Sequence, residues 1–108
     1  MDSKERSELY RKALKIYGFE PQKNMIYEEC GELITALARL SRGRCNPQEV
    51  ITELVDVHIM IEQMAEIFGV DAFNAEKDKK LARLKERLEK HELKNNKEKF
   101  YMLHETSC

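Results

Sequence analysis

The chain has 108 residues, the length of one domain with a single small core, and it is 36% charged and 42% hydrophobic with only 4 Gly and 2 Pro. That is the composition of a helical protein, not of a disordered or sheet-rich one. Its 19 basic and 20 acidic residues leave a net charge of −1, so no overall basic field recruits nucleic acid or an anionic membrane, and small molecules and other protein chains head the list of partners.

Periodic apolar segments separated by stop signals divide the chain into four helices, and no segment shows the sustained alternation of a strand. The fold class is all-α. The first helix is predicted over Ser3 to Tyr17, ending at Gly18 as a left-handed C′ residue. The second starts near Pro21, as N1, and runs to Ser41, where "RGRCN" breaks it. In "NPQE", Asn46 serves as N-cap, Pro47 as N1 and Glu49 as the N3 partner of a capping box, which opens a third helix ending at Gly69. The fourth is predicted from Asp71, as N-cap, to Leu93, with Leu81, Leu84 and Leu88 at helical spacing. Residues 1–93 are thus read as one helical domain and 94–108 as a C-terminal tail, although Phe100, Tyr101, Met102 and Leu103 could pack on a neighbour.

Cys30, Cys45 and Cys108 are odd in number and form no CxxC pair, and no signal peptide opens the chain, so a cytoplasmic location is expected. No apolar run reaches the roughly 18 to 20 residues a membrane span needs. Cys30 reads as a small core residue and Cys45 as a loop thiol without an activating partner.

The carboxylates carry the chemistry. In "YEECGEL" the second helix sets Glu28, Glu29 and Glu32 beside an apolar arc of Ile26, Cys30, Leu33 and Leu37. At about 100° per residue, Glu29 and Glu32 border that arc while Glu28 turns toward solvent, which makes Glu29 and Glu32 the primary pair and Glu28 its support. The third helix, "VITELVDVHIMIEQMAEIF", is apolar nearly all round, yet holds Glu53 and Asp56 at i and i+3. Ionised carboxylates there are costly to bury unless they are paired, hydrogen-bonded or metal-bound, and if the two pairs converge a cation is almost required. An all-oxygen ligand set selects Mg²⁺, with Mn²⁺ as the alternative, and Mg²⁺ commonly bridges to substrate phosphates. His58 is read as a core or interface histidine. It does not complete the Glu-x-x-His of di-iron bundles.

The pattern EExxE on one helix and ExxD on the next resembles the MazG-like all-α nucleoside triphosphate pyrophosphohydrolases, through "EECGE" with Glu28, Glu29 and Glu32 and "ELVD" with Glu53 and Asp56. The resemblance spans Gln22 to Leu88. It implies a four-helix-bundle-like, oligomeric fold and Mg²⁺-dependent hydrolysis of nucleoside triphosphates, including non-standard or deoxy ones, to monophosphate and pyrophosphate. It also implies Glu29, Glu32, Glu53 and Asp56 as metal ligands, Glu28 and Glu29 as catalytic carboxylates, and Asn74, Lys77, Lys80 and Arg83 as holders of substrate phosphate. A homodimer or homotetramer is expected, since a monomeric bundle this small could hardly cover the third helix. Tyr10, Tyr17 and Tyr27 are available to stack on a base, although packing is the simpler role for each.

Beside this reading stands a dimeric dUTP-hydrolysing relative, for which the chain looks short, and two further alternatives. Phosphoribosyl-ATP pyrophosphohydrolases share the carboxylate set, and "ELVDVHIM" is similar to their second motif, but "NMIYEEC" lacks the lysine usual ahead of their paired glutamates. The other is a non-catalytic helical oligomerisation module, whose acidic pairs would meet lysines or arginines instead of one another.

Overall fold

A computed structural model describes residues 1–44 and 46–95 of the chain. Residues 1–69 form one compact unit, and Val70–Asn95 are the described part of a second. The described residues contain four α-helices, α1 (Ser3–Tyr17), α2 (Phe19–Ser41), α3 (Pro47–Phe68) and α4 (Val70–Asn95), and no strand. The expected all-α class is therefore observed. The thiol of Cys45, the aromatic cluster at 100–103 and most of the expected tail lie outside the described residues. Among the described residues, no helix is long and apolar enough to cross a membrane.

Helix ends follow local chemistry. Asp2 and Glu5 form a reciprocal capping box at the start of α1, each side chain accepting from the other's backbone N–H. Asp-x-x-Glu is the sequence signature of that box, and the sequence reading passed over it. Gly18 closes α1 and opens α2 at φ 91° and ψ 164°, a conformation that disfavours any residue with a Cβ. Because Gly18 can turn the chain in a single residue, α2 starts at Phe19 and Pro21 falls at the third helical position instead of the first. Proline is tolerated there, since an N–H in the first turn has no intrahelical acceptor. At α3, Asn46 Oδ1 accepts from Glu49 N at 3.3 Å, so half of the predicted box forms, while the Glu49 side chain turns to Arg39. The fourth helix begins at Val70, which places Asp71 inside the first turn and not at the cap.

In the first unit α3 packs against both α1 and α2. It runs antiparallel to α2: Arg39 meets Glu49 near the connecting turn, and Phe19 meets Phe68 at the other end with ring centroids 6.1 Å apart in an edge-to-face pair. The centre is thin. Tyr10, Ala36, Met60 and Ala65 are the buried apolar residues, joined by Gln22 and Gln63. Burial of a side chain such as Met60 contributes about 1.5 to 3 kcal/mol, and few residues of this unit make that contribution. On α3, Ile51, Leu54, Val55 and Ile59 remain exposed, as do Ile34 and Leu37 on α2. His58, read from the sequence as a core or interface histidine, is not in the core of this chain: its side chain is 68% accessible and pairs with Glu62 one turn on. The α2 arc is also shallower than predicted, with Ile26, Cys30 and Leu33 half-buried.

The second unit consists, in its described part, of α4. Leu81, Leu84 and Leu88 follow the predicted spacing and form an exposed apolar stripe.

Candidate metal centre

The antiparallel register of α2 and α3 carries Glu29 toward Asp56 and Glu53. One carboxylate oxygen from each of these three residues lies within 4.8 Å of the other two. All three residues are half-buried, whereas Glu28 and Glu32 are exposed. Glu32 stands beside the trio, close enough to hydrogen-bond Glu29 and to act on the charge of Glu53.

Desolvation and then crowding of like charge shift the proton affinities. Desolvation, followed by the hydrogen bond with Glu32 and the proximity of Asp56, raises the Glu29 pKa to about 7. Glu53 is also raised, first by desolvation and then by the charges of Glu32, Asp56 and Glu49. Neither residue has a basic partner: none of the ion pairs among the described residues involves Glu29, Glu53 or Asp56. Glu53 Oε2 is buried and has no hydrogen-bond partner. A carboxylate oxygen taken out of water and left unpaired is costly, and a bound cation is the usual way to offset that cost.

The donor set therefore fits a hard divalent cation. Glu29, Glu53 and Asp56 offer oxygens only, which suits Mg²⁺ or Mn²⁺, and a site with three carboxylates leaves coordination positions for water or phosphate.

Beside the trio a cleft of about 540 Å³ runs along α2, with Tyr27, Glu28, Glu32 and Arg39 from that helix and Glu49 and Glu53 from α3 among its lining. Glu53 belongs to both cleft and trio. Arg39 and Glu49 form an ion pair across it at 3.6 Å. The sequence reading missed both residues as parts of the site. Spacing within one helix reveals i, i+3 and i, i+4 neighbours, but a cross-helix pair depends on register, which no local pattern encodes.

Of the three tyrosines, Tyr10 is buried and donates to Glu62, Tyr17 is exposed, and Tyr27 is the one at the cleft. The residues read as phosphate holders, Asn74, Lys77, Lys80 and Arg83, are all on α4 in the second unit, and all are exposed. There Lys80 pairs with Glu76 at 3.7 Å, and Lys77 lies over the Phe73 ring at 5.8 Å. Comparison with protein-family models, with curated proteins and with solved structures gives no match, so the likeness to the MazG-like group rests on the carboxylate motifs themselves.

Proposed function

We propose that the chain is a Mg²⁺-dependent nucleotide pyrophosphohydrolase that cleaves nucleoside triphosphates to monophosphate and pyrophosphate. The observation that carries this reading is the convergence of Glu29, Glu53 and Asp56 with no basic partner and with Glu53 Oε2 buried and unpaired.

In this proposal Glu29, Glu53 and Asp56 hold the metal, with Glu32 completing the set from the neighbouring turn. Mg²⁺ bound there would neutralise triphosphate charge and lower the pKa of a coordinated water. The chain's own work is positioning and proton transfer. Glu28 and Glu29 are the carboxylates proposed to take the proton of the attacking water, and the exposed Glu28 can pass it to solvent. The resemblance to the MazG-like group further assigns phosphate binding to Asn74, Lys77, Lys80 and Arg83, and these residues are proposed as phosphate holders on α4.

The proposal includes a homodimer or homotetramer with a four-helix-bundle-like protomer. The exposed apolar residues of α2 and α3 support association, because an apolar surface of that kind is ordinarily covered in a folded protein.

The test is to incubate the purified chain with Mg²⁺ and a panel of standard and damaged ribo- and deoxynucleoside triphosphates, and to measure pyrophosphate against orthophosphate. Wild type should release pyrophosphate from at least one member while Glu53→Gln releases none. No release from any triphosphate, or equal release by Glu53→Gln, contradicts the proposal.

A further inference from the structure

We propose that Arg39 is the cleft residue that takes the terminal phosphates of the substrate, and that Glu49 holds its guanidinium in place until they arrive. The inference rests on the nucleotide reading above and adds to it a residue and a direction of binding.

The cleft is strongly acidic. Glu28, Glu32, Glu49 and Glu53 contribute carboxylates, and Arg39 is the one cation among the described residues that line it. A polyanion can settle in such a cleft only where cations offset the carboxylates. The metal site at Glu53 provides one such point, and Arg39 provides the second.

Its geometry suits the role. The ion pair is made through Nε at 3.6 Å, and the Nη groups donate to no other described residue. A guanidinium offers paired donors that match phosphate oxygens, and the Nη edge is free to do so here. The Glu49 side chain is 34% accessible and that of Arg39 47%, so the pair sits in a wet environment where ion pairs contribute little. A weak, solvated partner is one that phosphate can displace.

Position supplies the direction. From Tyr27 to Arg39, α2 covers about 18 Å at ~1.5 Å per residue, with the carboxylates of Glu28 and Glu32 between them. Tyr27 presents an exposed ring at one end and Arg39 a guanidinium at the other. An extended nucleoside triphosphate has the same polarity: an aromatic base, a phosphate chain that binds metal, and a terminal dianion. The base therefore lies toward Tyr27 and the leaving pyrophosphate toward Arg39.

The test is calorimetric titration of inorganic pyrophosphate into the Mg²⁺-loaded protein, with KM and kcat measured for whichever triphosphate the wild type cleaves. Arg39→Ala should weaken pyrophosphate binding about 10- to 100-fold, with Arg39→Lys recovering part of the loss. Glu49→Gln should tighten binding roughly two- to fivefold by releasing the guanidinium and removing one cleft carboxylate, and the gain should be smaller in the Arg39→Ala background. Since Arg39 is largely solvated, its removal leaves the melting temperature nearly unchanged, which separates lost binding from lost folding. Unchanged pyrophosphate affinity in Arg39→Ala, or a Glu49→Gln gain that is undiminished without Arg39, overturns the inference while leaving the metal site standing. A wild type that binds neither pyrophosphate nor nucleotide overturns both.

Discussion

Helix α3 carries two sets of acidic residues that meet opposite fates. Toward its C-terminus, Glu66 accepts from Ser7 at 2.8 Å and from Arg11 at 3.0 Å, and Glu62 accepts from Tyr10 and pairs with His58. Toward its N-terminus, Glu53 and Asp56 meet Glu29 and Glu32, and one buried Glu53 oxygen has no hydrogen-bond partner among the described residues. The residue types are the same, as is the helix. What differs is the neighbour: α1 supplies hydroxyls and a guanidinium, whereas the facing stretch of α2 supplies more carboxylates. Carboxylates answered by donors hold helices together, while carboxylates gathered against one another store unfavourable interaction that a ligand can relieve.

Substitution should therefore act with opposite sign at the two ends. Glu53→Gln is expected to reduce pyrophosphate release by on the order of 100-fold or more, and to raise the metal-free melting temperature by removing one of the crowded charges. Parallel activity and thermal-melt measurements check both halves. A Glu53→Gln variant that melts lower than wild type without metal would break the comparison.

Ligand should stabilise only the crowded end. Mg²⁺ together with a bound nucleotide at about 100 times its Kd should add about 2.7 kcal/mol of stability to the wild type, and little to Glu53→Gln. Thermal melts at millimolar Mg²⁺ and nucleotide read this directly.

The metal-free protein should also respond to pH through Glu29. Its pKa is about 7 in the folded chain against an ordinary 4.5, so between those values the folded state binds more protons than the unfolded state. Stability therefore falls as pH rises through that window, and the loss is complete above it. Melting curves in chelator at pH 5 and pH 8 should show the lower temperature at pH 8, with a smaller difference in Glu29→Gln; a melting temperature that climbs from pH 5 to pH 8 contradicts the assignment.

The smallest effect belongs to the answered end. Tyr10→Phe removes the hydroxyl that donates to Glu62 and should cost about 1 kcal/mol, seen as a modest drop in melting temperature with pyrophosphate release unchanged.

Much of the helix layout could be read from the residues because its signals are local. Gly18, the Asn46-Pro47 pair and Gly69 each mark a boundary by their own backbone preferences, and the ends of α1 and α3 fall where those residues predict. Errors arose where a neighbour decided. α2 begins two residues before Pro21 because Gly18 turns the chain at once, and Glu49 leaves its capping role half-made because Arg39 stands across from it. The apolar pattern of α3 placed His58 in a core or an interface, and it lies outside the core of this chain, since periodicity reports what a face is made of and not whether another element of the fold covers it. The same distinction governs the site. Spacing put Glu53 and Asp56 on one face of α3 and Glu29 and Glu32 on one face of α2, whereas the meeting of Glu29 with the α3 pair and the entry of Arg39 and Glu49 required the register between two helices.

The most direct test of the central claim is a titration of Mn²⁺ into the protein, followed by electron paramagnetic resonance, for wild type, Glu53→Gln and Glu66→Gln. The account predicts saturable binding in the wild type, its loss in Glu53→Gln and its retention in Glu66→Gln, because only the unanswered carboxylates need a cation. Absence of binding in the wild type, or equal binding in wild type and Glu53→Gln, would contradict it.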